Sequence, residues 1–310
     1  MPNPSFAIQE HVSLAPYTTF HLGGPAQYFC LLTRVAELPK ILSWAGARDL
    51  PVHVLGAGAN TLISDRGVAG LVIVMADDSM VWTPPEVVVG AGVKNGQLIA
   101  GGLRHGLGGL RWLLGVPGTI GGSLFGNAGG HGWGLGDQVV WVETMNHAGQ
   151  IERHVPAGCA FTYRHSFFKD HRDLIIIRAK LSLPSVEVAP ERARLAETSK
   201  LKNASQPTTA KTAGCMFTNA TVDKDRLPDG LGVYVGADGQ IAAWRLIQAV
   251  GLQEKKIGQI QISPLHANFM INLGGGTADQ VMQLISLVKQ QVRDQLGVQL
   301  HEEVQYLGFE

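Results

Sequence analysis

Two rhythms of apolar residues run along this chain. Short blocks dominated by valine, isoleucine and leucine, "GLVIVMA" (70–76), "EVVVGAGV" (86–93), "QVVWVETMN" (138–146) and "DLIIIRAKLSL" (173–183), have the length and composition of strands. Residues 50–75 read as strand, glycine turn, short segment, second glycine turn and strand. Helical spacing governs 277–296, where Val281, Leu284, Ile285, Val288, Val292 and Leu296 fall on one stripe and Thr277 with Gln280 forms a capping box. "NGQLIAGGLRHG" (95–106) reads as a helix broken by Gly101 and Gly102, and "IAAWRLIQAVG" (241–251) as a further short helix. A polar, charged stretch at 185–211 interrupts the apolar pattern and predicts a helix across a domain boundary. "VQLHEEVQYLG" (298–308) closes the chain as a strand, with Val298, Leu300, Glu302, Val304 and Tyr306 on one face and His301, Glu303 and Gln305 on the other. Many strands and few helices before residue 185 place the fold in the α+β class.

At 310 residues the chain has room for two domains, each with its own core. Lysine plus arginine and aspartate plus glutamate both number 25, and no basic run occurs, which removes the electrostatic footprint of a nucleic-acid binder. The longest apolar runs are strand-length and too short to cross a bilayer. "MPNPSFAIQEHVSL" shows no charged leader followed by an apolar stretch, so no signal peptide is expected. Cys30, Cys159 and Cys215 are odd in number and widely spaced, which excludes a disulfide framework and a CxxC metal site. A soluble cytoplasmic protein with no membrane, nucleic-acid or metal requirement is the expectation.

Glycine changes the picture. There are 39 in the chain, nearly twice ordinary usage, and the excess is concentrated in a few segments. "GAGANT" (56–61) follows a strand but lacks the third glycine of a dinucleotide fingerprint, has Thr61 in its place, and leads into "LISDRGVAG" instead of a helix. Two readings stay open for it: a turn whose amides point at an anion, or a tight hairpin turn. "GVPGTIGGSLFGNAGGHG" (115–132) intersperses its eight glycines with Val116, Ile120, Leu124 and Phe125, so it is no flexible tether. It either lets a ligand touch the main chain over a long path, as a pyrophosphate with a flat ring system needs, or supports strand crossings.

Further segments follow in order: "YTTFHLGGPAQYF" (17–29), "VLGAGANTLISDRGVAGLVI" (54–73), "FTYRHSFFK" (161–169), "TAGCMFTN" (212–219) and "ISPLHANFMIN" (262–272). With the 115–132 stretch and the closing segment they closely resemble the UDP-N-acetylenolpyruvoylglucosamine reductase family, flavoenzymes of bacterial peptidoglycan synthesis, from about residue 14 to the C-terminus. The resemblance implies a two-part FAD-binding module of the vanillyl-alcohol-oxidase type over 1–190, with subdomains of roughly 1–77 and 78–190. An α+β substrate domain over 191–297 and a C-terminal strand, 298–310, would follow. FAD would be held non-covalently by Gly56, Ala57, Gly58, Ala59, Asn60 and Thr61 and by Gly115, Pro117, Gly118, Thr119, Gly121, Gly122, Asn127, Ala128 and Gly129. In relatives of that fold a histidine can carry the flavin covalently, and His105 and His131 are the residues to check.

The implied chemistry passes hydride from NADPH through FAD to an enolpyruvyl ether on a UDP-sugar. The substrate then needs a cation or proton donor at its carboxylate and an acid at its α-carbon. The resemblance places Arg164 at the carboxylate, where a planar, permanently charged fork is well matched. Tyr163, Ser166, Asn219 and His266 fall on positions expected to line the substrate. Glu303 matches the family glutamate that orients or protonates the carboxylate end, and the alternation of the last strand separates it from Glu302. Where many members carry a serine as proton donor this chain has Cys215, and a thiol, with an ordinary pKa near 8.5, is a much stronger acid than a hydroxyl. Other departures are Ala59 for serine, Ala220 for proline and Arg111 for glutamate, and Lys200, Lys202 and Lys211 are equal candidates for the substrate diphosphate. An oxidase of the same flavin fold is the second enzymatic reading, and a nucleotide-binding protein without catalysis the third.

Overall fold

Strand Val68–Met75 is buried at every position except Ala69, as a parallel strand flanked on both sides requires. It pairs in parallel with Pro25–Leu32 on one side and Val52–Leu55 on the other, and Gln9–Ser13 completes a four-stranded sheet. A five-stranded antiparallel sheet follows in the order Ile151–His154, Val139–Met145, Ile175–Ser182, Glu86–Gly90, Met80–Thr83. The four predicted strand blocks thus all form strands. This computed structural model describes residues 7–309 except His131 and Asp229, and not the side chain of Arg226; residues 1–6, on which the expectation of no leader partly rests, lie outside it.

The chain divides into two compact units, neither of them one continuous stretch. The first comprises 1–12, 26–57 and 68–202, and the second 13–25, 58–67 and 203–310. The boundary therefore lies at 202/203, not near 190, and two short N-terminal segments join the C-terminal body. Packing gives the reasons. Helix Val188–Ser205 buries Leu195 in the core of the first unit. Phe20, Leu22 and Leu62 belong to the core of the second, together with Phe217, Leu246, Val281, Val288 and Leu300.

In the first unit the helix at Asn95–Arg104 runs unbroken through Gly101 and Gly102, contrary to the expected break. The glycines are there for a neighbour: a Cβ on Gly101 would lie 2.6 Å from Cζ2 of Trp82, and one on Gly102 would lie 3.2 Å from the Leu107 carbonyl. Tertiary packing outweighs a propensity cost of about 1 kcal/mol per glycine. The Arg111 departure also has a partner, since its Nε lies 3.7 Å from a carboxylate oxygen of Glu191, which is buried.

The second unit is built around helix Ala278–Leu296, whose buried stripe is Val281, Leu284, Ile285, Val288 and Val292. Its capping box forms as predicted, and Gly297 at φ +67° ends it. The Asp65 carboxylate adds a cap from outside the helix, accepting from the Ala278 and Asp279 amides at 2.9 and 3.1 Å. A helix at Ala243–Ala249 and a three-stranded sheet of Lys256–Ile257, Ile260–Ile262 and Met270–Asn272 complete the body. The closing strand is shorter than expected. Only Gln305–Leu307 pairs as a strand, in parallel with Thr61–Ile63. Residues before it spend their backbone groups on the irregular 216–218 segment: Thr218 donates to the His301 carbonyl and Glu303 to that of Met216. Among the described residues no helix is long and apolar enough to cross a membrane.

Candidate active site

The turn Gly56–Asn60 is where the chain leaves the first unit for the second. Among the described residues, none of the amide N–H groups of Gly56, Ala57, Gly58, Ala59 and Asn60 has a hydrogen-bond acceptor. Buried or half-buried amides are seldom left so, and five in succession form a donor array suited to an anion. Gly58 has φ +57°, and a Cβ on it would lie 2.5 Å from the Tyr17 carbonyl. A Cβ on Gly56 would lie 2.5 Å from Oγ1 of Thr119. The two glycine segments, some sixty residues apart in sequence, therefore meet in the first unit at Gly56 and Thr119, and of the two readings for each, the anion turn and the ligand path are the ones this geometry favours.

Along the second segment, buried Thr119 caps helix Ile120–Phe125 by accepting from the Gly122 amide. The amides of Gly115, Gly118 and Thr119 likewise meet no acceptor among the described residues. Asn95, 2% exposed, shapes this loop: its side chain donates to the Val116 carbonyl and accepts from Ser123 Oγ, and its amide donates to the Gly118 carbonyl. Lys202 Nζ donates to the carbonyls of Trp112 and Leu114 at 3.0 and 2.5 Å, and burial lowers its pKa. That lysine is thus spent on the loop backbone. His105 stacks on Trp82 with ring centroids 4.5 Å apart and its Nδ1 on the Gly101 carbonyl; His131 lies outside the described residues.

Tyr163 and Arg164 occupy the tip of a two-residue turn closed by mutual backbone hydrogen bonds between Thr162 and His165. Arg164 has φ +55°, an uncommon conformation for a long side chain and one that collects at functional sites. Lys169 Nζ donates to its carbonyl at 2.8 Å, and its guanidinium carbon lies 5.2 Å from the Tyr163 ring. The Asn127 side chain ties this turn to the glycine segment, donating to the Thr162 carbonyl and accepting from the Gly136 amide. Ser166 is fully buried and its hydroxyl donates to the Phe125 carbonyl at 2.7 Å, a framework contact.

In the second unit Gly214, at φ +78°, directs the chain so that a Cβ on it would lie 4.0 Å from the Ala59 carbonyl. Half-buried Cys215 follows and bridges to Phe269. Asn268 fixes the next two residues: its carbonyl accepts from the Met216 amide, and its side chain makes a reciprocal pair with the Phe217 backbone at 3.0 and 2.8 Å. The Met216 carbonyl in turn accepts from the Glu303 amide at 2.8 Å. The Gly58–Asn60 turn, Cys215 and Glu303 are thereby neighbours. Glu302, on the other side of the alternation, is paired with Lys289 at 2.8 Å.

Asn219 is exposed. His266 is half-buried between Trp244 and Phe269, and burial lowers its pKa from 6.5 to about 4. Its Nδ1 accepts from the Asn268 amide, so the neutral ring suits the fold. The depressed value fixes a sign: the stability contribution is complete above pH 6.5 and declines as pH falls from there toward about 4. The expected result is a lower urea midpoint at pH 5 than at pH 7.5, with a smaller difference in His266→Gln; equal slopes in both proteins would contradict it. Asn95, Asn268 and Gln305 are the residues sequence reasoning missed, and only a map of which backbone groups need partners could have found them. Among the described residues no three His, Cys, Asp or Glu side chains group as metal ligands.

An array of unpartnered amides backed by glycines that admit no Cβ fits a dinucleotide diphosphate such as that of FAD. Comparison with known proteins agrees. Residues 26–154 match the family model for an FAD binding domain, and 206–307 that for the C-terminal domain of UDP-N-acetylenolpyruvoylglucosamine reductase. The enzyme of that name from Solibacter usitatus (strain Ellin6076) is 34% identical over 310 residues, 98% of each chain. Its counterpart from Bacillus velezensis is 31% identical over 97% of this chain and 94% of its own. The crystal structure of the reductase from Thermus caldophilus superposes with a TM-score of 0.77 at 30% identity, covering 97% of this chain and 99% of that one. The expected α+β fold class, an FAD-binding module followed by a substrate domain, is the one present.

Proposed function

This chain belongs to the UDP-N-acetylenolpyruvoylglucosamine reductase family, an FAD-containing group of oxidoreductases, and from that premise we propose that it reduces UDP-N-acetylglucosamine enolpyruvate to UDP-N-acetylmuramate at the expense of NADPH. When bound along the 56–60 turn and the 115–129 segment, FAD supplies the hydride that reaches the β-carbon of the enolpyruvyl group. Everything else falls to the protein. Arg164 pairs its guanidinium with the substrate carboxylate, which gains electron density as the hydride arrives. Cys215 Sγ delivers the proton that the α-carbon then needs. Glu303 orients the carboxylate end and shares in its protonation. Tyr163, Asn219 and His266 contact the UDP-sugar, His266 as a neutral ring. The cytoplasm is the proposed compartment; none of the three cysteines is in a disulfide.

The observation that carries this reading is the hydrogen bond from the Glu303 amide to the Met216 carbonyl. It joins the thiol segment to the carboxylate segment, two groups that an enolpyruvyl reductase needs and a flavin oxidase does not, beside a turn of donor amides that either would use. The test is NADPH consumption under nitrogen. One NADPH oxidised per UDP-N-acetylmuramate formed, and negligible consumption without the enolpyruvyl sugar, is the expected outcome. Consumption that requires oxygen and ignores the sugar would assign an oxidase instead.

A further inference from the structure

Glu303 lies outside regular secondary structure, yet its peptide is fastened on both sides. Its amide donates to Met216 O, and its carbonyl accepts two side-chain amides, Asn60 Nδ2 at 3.1 Å and Gln305 Nε2 at 3.1 Å. Both lone pairs of one carbonyl are thus engaged by residues 243 and two positions away. Gln305 also donates its own amide to the Asn60 carbonyl at 2.9 Å, closing a reciprocal clasp. Asn60 is the last residue of the turn whose amides await an anion, and Met216 is the residue after Cys215. The pairing at Gln305–Leu307 includes the backbone bond from Gln305 to Asn60 but would form without either side-chain amide, so the two side-chain contacts on the Glu303 carbonyl are additional to what the fold requires.

We propose that Asn60 and Gln305 are positioning residues that lock the Glu303 peptide against the Cys215 segment, and that Asn60 makes this lock respond to occupancy of the diphosphate turn. When the turn is filled, Asn60 loses freedom, and the carbonyl it holds loses freedom with it. Gln305 serves the same carbonyl without belonging to the turn. The proposal rests on the role given to Glu303 above, but half of its test needs no substrate.

Two variants separate the links. Gln305→Leu is expected to bind FAD within about twofold of wild type and to be bleached by NADPH normally. Its single-turnover reduction of the enolpyruvyl sugar should slow about three- to tenfold, the worth of one hydrogen bond. Asn60→Asp, which keeps the shape but replaces the donor with an acceptor, should slow the same step and weaken FAD binding together. Hydrogen exchange of the peptide spanning 301–307, measured with FAD alone, should slow on flavin binding in wild type and Gln305→Leu but not in Asn60→Asp. Exchange indifferent to FAD in wild type would overturn the coupling, even if the protein proved to reduce a different substrate. A full single-turnover rate in Gln305→Leu would overturn the positioning role.

Discussion

Cys215→Ala is expected to retain flavin, to be bleached by NADPH at the wild-type rate, and to lose about 10²- to 10⁴-fold in turnover, the range for removal of a general acid. The backbone gives no reason for wider damage. Met216 and Phe217 are held by three hydrogen bonds to Asn268, Cys215 is bridged to Phe269, and none of these contacts uses the thiol. Removal of the sulfur therefore leaves these backbone contacts in place. Cys215→Ser restores the hydroxyl that many family members use, and its turnover should fall between alanine and cysteine because the weaker acid quenches the α-carbon more slowly. Rapid-mixing kinetics of the two half-reactions make the measurement, and wild-type turnover in the alanine variant would remove the thiol from the mechanism.

Gly58→Val should remove flavin altogether. At φ +57° a β-branched residue is a true conformational outlier, and its Cβ would lie 2.5 Å from the Tyr17 carbonyl and 2.8 Å from Thr18 Cα, both backbone atoms that cannot rotate aside. The turn must rearrange, and its amides then no longer converge. FAD affinity should drop by more than about 100-fold, that is, more than about 2.7 kcal/mol, while the helix Ala278–Leu296 and its core keep the second unit folded. Fluorescence titration with FAD and a circular-dichroism melt check both halves of this expectation; wild-type affinity would show that the turn does not hold the diphosphate.

How much of this was legible follows from which interactions are local. The long helix could be read because its stripe and its Thr277–Gln280 cap are set within a few residues, and the strand at 68–75 because burial on both faces demands an unbroken apolar run. At 175–182 a buried run of three isoleucines leads into alternation, with Ala179 and Leu181 buried and Arg178 and Ser182 exposed. The glycine segments were legible as special backbone, since positive φ at Gly58, Gly115 and Gly118 excludes most other residues. Gly101 was misleading because the Trp82 ring, not the helix, decides what fits there. The interleaved units were hidden for a related reason. Pairing of Thr61–Ile63 with Gln305–Leu307 joins segments some 240 residues apart, and neither is distinctive alone. Among site residues, Asn60, Arg164, Cys215 and Glu303 stood out by family pattern, whereas Asn95, Asn268 and Gln305 act through amides whose partners are backbone groups of other residues. An amide side chain carries no sign of which carbonyl it will find.

The most direct test of the central claim is a single anaerobic mixing experiment: enzyme reduced beforehand, freed of nicotinamide, and mixed with UDP-N-acetylglucosamine enolpyruvate. The account predicts that the visible flavin band returns in one phase, with one UDP-N-acetylmuramate formed per flavin. A band that stays bleached until air is admitted would contradict it.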